Sequence, residues 1–326
     1  MKQLLKIGVT LLVAGICLAA LGRIFGGSFS FSINPKTHEF ADVRDDDDYY
    51  AQDSMSLDAF TSLDIRTGVA DIDIKEGDSY QLEYILYKED KPTVSTDGET
   101  LVIKSKENNH TVHIGFDFEV FDFKARSDKE PQLTLTVPKG TKLKNVSIFT
   151  ESGDCQFSNI NADKLSVKTE AGDVVLDNID SSTMDMVLES GDAKIKACSF
   201  DSCTLKSEAG DVVVSDVDST AMDMTLESGD VRIDGCDFAS WELLSEAGDV
   251  KAGELTVDKL SAKAESGDVE LGIEGEQEEY GFALFCDSGD IKLNGRNQGE
   301  NFVYAEEKDK LIKVENECGD VTISFD

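Results

Sequence analysis

From residue 146 to about residue 274, apolar and polar positions recur with a period of 19. The centre of each repeat is Glu-Ser-Gly-Asp or Glu-Ala-Gly-Asp, with its glycine at Gly153, Gly172, Gly191, Gly210, Gly229, Gly248 and Gly267. Counted from that glycine, the apolar residues fall into columns. Seven before it stand Val146, Leu165, Met184, Cys203, Met222, Trp241 and Leu260; two after it stand Cys155, Val174, Ala193, Val212, Val231, Val250 and Val269. Further columns lie five before, four after and seven after. Within each arm the spacing is two, which returns successive side chains of a strand to one face. Each repeat thus reads as strand, Glu-x-Gly-Asp turn, strand, and a second turn carrying Asp, Asn or Ser. A helix is disfavoured by the period and by the glycine in every unit.

The fold predicted is all-β, a β-solenoid (β-helix) whose coils stack about 4.8 Å apart. Each coil of such a stack buries its apolar side only against its neighbours. The glycine is explained by a corner that needs positive φ or has no room for a Cβ. Gly289 and Gly319 hold the same place in the later phrases Asp-Ser-Gly-Asp and Glu-Cys-Gly-Asp. A second rhythm overlies the first, because the residue before the glycine alternates Ser and Ala through all seven copies. The duplicating unit is therefore a pair of coils, and Phe200 and Phe238 would fill the same corner on alternate coils.

On either side the period loosens. Residues 56–145 read as an irregular β cap: strands in 60–77, 80–88 and 100–106, an alternately apolar segment at 110–126, and a strand, Pro-Lys-Gly turn and strand in 133–149. Thr67–Asp71, Thr-Gly-Val-Ala-Asp, resembles a degenerate version of the turn phrase. Residues 275–326 read as atypical closing coils. Residues 26–55 read as an acidic flexible linker with Asp45 to Asp48 at its centre.

Residues 1–25 put Lys2 and Lys6 ahead of an uncharged apolar run from Ile7 to Leu21, followed by Arg23. We read this as one uncleaved N-terminal transmembrane helix rather than a removed signal peptide, with the amino end cytoplasmic. Cys17 lacks the preceding residues that lipid attachment requires. The expected address is the cell membrane, single-pass, with the solenoid extracytoplasmic. The whole chain has a formal net charge of -35, which excludes nucleic acid and anionic headgroups as ligands of the folded body.

Few residues of the chain point to chemistry. A catalytic group is needed once, whereas Ser152, Ser190, Ser228 and Ser266 recur in equivalent places, as do the acids of the turns. No catalytic residue and no cofactor is assigned. His110 and His113 sit three apart, on opposite sides of a strand, and His38 is isolated. Cys155, Cys198, Cys203 and Cys236 occupy inward columns. Cys198 and Cys236 stand two coils apart, roughly 9.6 Å, beyond disulfide reach. Cys286 and Cys318 are the pair that spacing does not exclude. The most suggestive feature is a ladder of acids, Asp154, Asp173, Asp192, Asp211, Asp230, Asp249 and Asp268, whose neighbours would repel by roughly 1 kcal/mol in water. Either each Asp accepts N–H bonds of its turn, or the file holds divalent cations; the first reading is adopted.

The lysine-flanked anchor, the acidic linker, LTLTVPKGTKLKNVSI before the SGDV-type turns, and the closing VENECGDVTISFD together resemble a bacterial family of unknown function labelled "putative adhesin". The likeness runs from about Leu57 to the end. It implies a β-solenoid on the outer face of the membrane, in a family common in Gram-positive envelopes, and supplies no catalytic residues. Some relatives look like accessory proteins of envelope-stress systems. The reading is a membrane-anchored, non-enzymatic surface protein presenting an acidic face to a protein or glycan partner. Its alternatives are an accessory regulator of a membrane sensor and a glycan-active solenoid enzyme. The oligomeric state is left open.

Overall fold

A computed structural model describes residues 31–33, 40–42, 50–105 and 131–325. The chain divides into two units. One comprises residues 1–47 and 108–128, the other residues 48–107 and 129–326. The described part of the first is a short antiparallel pair, Phe31–Ile33 with Phe40–Asp42. It lies in the stretch expected to be a flexible linker. The expected transmembrane helix and the segment 110–126 lie outside the described residues. No helix among the described residues is long and apolar enough to cross a membrane.

The second unit is the solenoid. Each 19-residue repeat forms a long arm and a short arm. Long arms run Lys142–Ser152, Asn161–Ala171, Asp180–Leu188, Ser199–Ser207, Asp218–Leu226 and Asp237–Ser245. Short arms run Cys155–Ser158, Val174–Asp177, Ala193–Lys196, Val212–Ser215 and Val231–Asp234. Val250–Ser266 supplies both arms in one strand, and Val269–Ile273 is the short arm that follows. As far as Asp237–Ser245 every arm pairs in parallel with the residues 19 further on, Val146 with Leu165 and Val174 with Ala193 for example. Matching residues therefore lie over one another, and all five sequence columns are buried.

A sixth inward column, three before the glycine, is not legible as apolar. It holds Thr150, Thr169, Leu188, Ser207, Leu226, Ser245 and Ala264. It explains the two-coil rhythm together with the column that carries Phe200 and Phe238. One long arm points Ser181, Met184, Met186 and Leu188 inward, and the next points Phe200, Cys203, Leu205 and Ser207. The following pair repeats this as Ser219, Met222, Met224, Leu226 and Phe238, Trp241, Leu243, Ser245. Large residues thus lie over small ones at both ends of the arm, so alternate coils interdigitate where identical coils would clash or leave voids.

Both ends of the stack depart from chain order. Ser62–Thr67 pairs directly with Lys142–Ser152, and Thr100–Lys104 lies outside it. At the other end Lys310–Cys318 inserts between Val250–Ser266 and Tyr280–Ser288, so the last coil of the sequence is the penultimate coil in space. Tyr280, Phe282, Phe302 and Phe325 fill the interior there, with Phe325 5.3 Å from Tyr280 and 6.0 Å from Phe282 between ring centroids. Antiparallel strands close the ladders: Tyr50–Ser56 and Thr93–Asp97 at one end, Arg296–Gly299 and Asn301–Tyr304 at the other. Residues 50–55 were expected in the linker; pairing of Tyr50 with Tyr87 puts them in the body.

Candidate functional site

The Glu-x-Gly-Asp corner is the most repeated polar feature, and its geometry decides what the acids do. Gly172 has φ +134°, and a Cβ on it would lie 2.3 Å from the carbonyl oxygen of Gly153. Both reasons expected for the glycine hold at once: a conformation that L residues avoid, and backbone in contact with backbone. With the corners this close, the amide of each turn aspartate meets the side chain of the aspartate one coil earlier. Asp173 N–H donates to Asp154 Oδ1 at 2.9 Å, and Asp192 N–H to Asp173 Oδ1 at 2.8 Å. The pattern continues through Asp211, Asp230, Asp249 and Asp268.

The line is longer than the repeat. It begins at Asp71, whose Oδ1 accepts the N–H of Asp154, and ends by passing from Asp268 to Asp320 and from Asp320 to Asp290. The degenerate phrase at Thr67–Asp71 thus supplies its foot, with Ala70 where later coils have glycine. The expected Asp turn bond is present, but between coils rather than within one turn. A hydrogen bond to a charged acceptor contributes about 1.5–3 kcal/mol, against roughly 1 kcal/mol of repulsion per neighbouring pair in water, and so the ladder holds. At its far end the Lys292 ammonium, 2.7 Å from Asp320, with the Asp290 N–H, keeps the Asp320 carboxyl below the usual range.

Among the described residues no group of three or more His, Cys, Asp or Glu side chains is placed to hold a metal ion. His38, His110, His113, Cys17 and the run Asp45 to Asp48 lie outside the described residues. The six described cysteines are free. Cys155, Cys198, Cys203, Cys236 and Cys286 are buried, and Cys318 is exposed. Burial pushes the Cys155 thiol to about 12 and that of Cys198 to about 11, and raises that of Cys203. These thiols are packing groups, not nucleophiles.

Over four consecutive coils the two faces of the body differ in charge. Four long arms with their turn glutamates, residues 180–189, 199–208, 218–227 and 237–246, carry eleven acids and one base, Lys206. The short arms of the same coils carry Lys194, Lys196, Arg232 and Lys251 against one acid, Asp234. Sequence columns alone do not reveal this, because both arms alternate in the same way. Ion pairs that cross coils, such as Lys142 with Asp163 at 2.7 Å and Lys164 with Asp185 at 2.9 Å, are exposed and contribute little. Toward the C-terminal end the long-arm face has a shallow groove lined by Lys263, Phe285, Asp287, Glu315 and Glu317.

No curated protein matches the sequence. Solved structures similar to this chain include two proteins named as putative adhesins. That from Bacteroides fragilis is 13% identical, with 85% of this chain and 97% of that one covered and a TM-score of 0.46. That from Parabacteroides distasonis is 12% identical, with 86% and 98% covered and a TM-score of 0.45. A protein named as a putative lipid binding protein, also from Parabacteroides distasonis, is 13% identical, with 85% and 97% covered and a TM-score of 0.37. The family model described as Toastrack DUF4097 matches residues 60–324, nearly all of the stacked body, and the chain belongs to that family.

Proposed function

We propose that this protein is a membrane-anchored, extracytoplasmic surface scaffold without catalytic activity, which presents its long-arm face to a protein or glycan partner. The observation that carries the reading is the contrast between the faces: eleven acids to one base on the long arms of four consecutive coils, on a body whose backbone corners are locked together. A parallel stack held in this way keeps charged side chains at a regular spacing, which suits recognition of an extended or repetitive partner. The absence of a catalytic role is supported by the use of the repeated acids. Each turn aspartate from Asp154 to Asp249 has one carboxylate oxygen taken by the amide of the next coil. The anchor is supported by the apolar run from Ile7 to Leu21 behind two lysines.

Fractionation of the full chain, with protease added to intact cells, tests the address. The chain is expected in the membrane fraction with its body digested from outside. Recovery in the soluble cytoplasmic fraction would sink the reading. A pull-down in mild detergent with acids of the 218–246 region changed to Asn and Gln tests the face. Loss of a partner that wild type retains at low salt is the expected result, and equal capture by both overturns it.

A further inference from the structure

Four strands close the ends of the two ladders, and three of them are protected against further pairing. Tyr50–Ser56 carries Asp53, whose side chain accepts the N–H of Ser54. Thr93–Asp97 ends in an aspartate. In Arg296–Gly299 the Asn297 side chain accepts the N–H of Gly299, and the Gln298 side chain donates to the Arg296 carbonyl. Charged residues and self-bonded backbone are how natural sheets blunt an edge. Asn301–Tyr304, Asn-Phe-Val-Tyr, has neither. Among the described residues it pairs by one edge only, antiparallel to Tyr280–Ser288. Val303 and Tyr304, at 52% and 53%, are the most exposed large apolar residues among those described, and Phe285 on the adjoining strand is 38% exposed.

We infer that this strand pairs with the same strand of a second copy, antiparallel across a twofold axis, so that two solenoids join tip to tip. The occupant follows from charge and symmetry. Copies with a net charge of -35 repel wherever their acidic sides meet, and an edge strand with no charged residue of its own, flanked by Glu300, Glu306 and Glu307 and with the Lys308 ammonium over the Tyr304 ring, is where they can approach. An antiparallel edge related to its copy by a twofold axis continues the ladder with no second sequence needed, in the isologous manner of most dimers. A twofold axis through Val303 then sets that residue opposite the partner's Val303 and Phe302 opposite the partner's Tyr304, and the exposed rings and methyls of the two tips are removed from water together. The two stacks point in opposite directions. Where it rests on the anchored reading above, the contact is one between membrane-held copies.

Sedimentation of the full chain in mild detergent, at increasing protein concentration to about 100 µM, tests self-pairing whatever the anchor does. A monomer–dimer equilibrium is expected, weakened at least tenfold by Val303→Lys with Tyr304→Lys at an unchanged melting midpoint. Should that pair lower the midpoint, Val303→Thr is read instead, with the same direction expected. A chain monomeric at every concentration, or a dimer indifferent to these substitutions, overturns the inference. Flotation with lipid vesicles reports separately on the anchor: vesicles carrying the wild-type chain should cluster and those carrying the lysine variant should not. A chain that dimerises without floating overturns the anchored reading alone.

Discussion

Gly210 lies directly over Gly191, and a Cβ placed on it would sit 2.1 Å from the Gly191 carbonyl oxygen. The corner is therefore a contact of backbone against backbone, repeated in every regular coil. Gly210→Ala must both strain a φ of +127° and push two coils apart; a loss of more than about 3 kcal/mol is expected. Gly140 also has positive φ but has nothing within 4 Å of a Cβ, so Gly140→Ala should cost only about 1 kcal/mol. Denaturant melts of the two variants check the difference. Equal losses would mean that close approach contributes nothing.

The aspartate ladder makes an opposite pair of predictions at a single position. Asp192→Ala leaves the N–H of Asp211 without its acceptor and should cost about 1 kcal/mol, reduced by the exposure of the site. Asp192→Asn keeps an acceptor oxygen and removes repulsion from two neighbours, so stability should hold or rise slightly. Calcium or a chelator should leave the wild-type midpoint unchanged. A shift of several degrees with calcium would instead favour cations held along the line.

The second corner of each coil uses a left-handed residue six after the glycine, filled by Asn159, Asn178, Ala197, Asp216, Gly235 and Glu254. Alanine is poorly suited to φ +52°. Ala197→Gly should stabilise by about 0.5–1 kcal/mol, the strain relieved less the entropy of glycine in the unfolded chain. Ala193→Gly, in the buried strand nearby, should destabilise. Thermal melts that moved the same way for both would refute the account.

Thiol labelling separates packing cysteines from accessible ones. In the native protein near pH 8, mass-spectrometric mapping should find Cys318 modified first. Cys155, Cys198 and Cys203 should react roughly 100-fold more slowly or only on unfolding, because burial both hides these thiols and suppresses their thiolates. Fast modification of Cys203 would show that the interior is open.

Much of the coil was legible because its signal is redundant. Val174, Val212 and Val250 recur in step with a glycine, and any register other than direct stacking would expose them. The buried hydroxyls of Thr169 and Ser245 were not legible, since serine and threonine in a run of mixed residues read equally well as turn or surface. The left-handed corner escaped for a related reason: Asn178, Ala197 and Glu254 share a conformation and no chemistry.

Local spacing alone determined the strand period, the 19-residue coil, the inward columns and the need for glycine at the corner, because each follows from side-chain direction along one chain. Tertiary structure decided which amide each aspartate serves, and that the coil ending at Phe325 enters before the one ending at Leu293. It also decided which face gathers the acids and which strand is left with an open edge. These depend on segments far apart in sequence. A parallel ladder accepts either order of the last coils, and the packing of Tyr280, Phe282 and Phe325 in the shared interior, with the Asn316 side chain donating to the Gly267 carbonyl, distinguishes them.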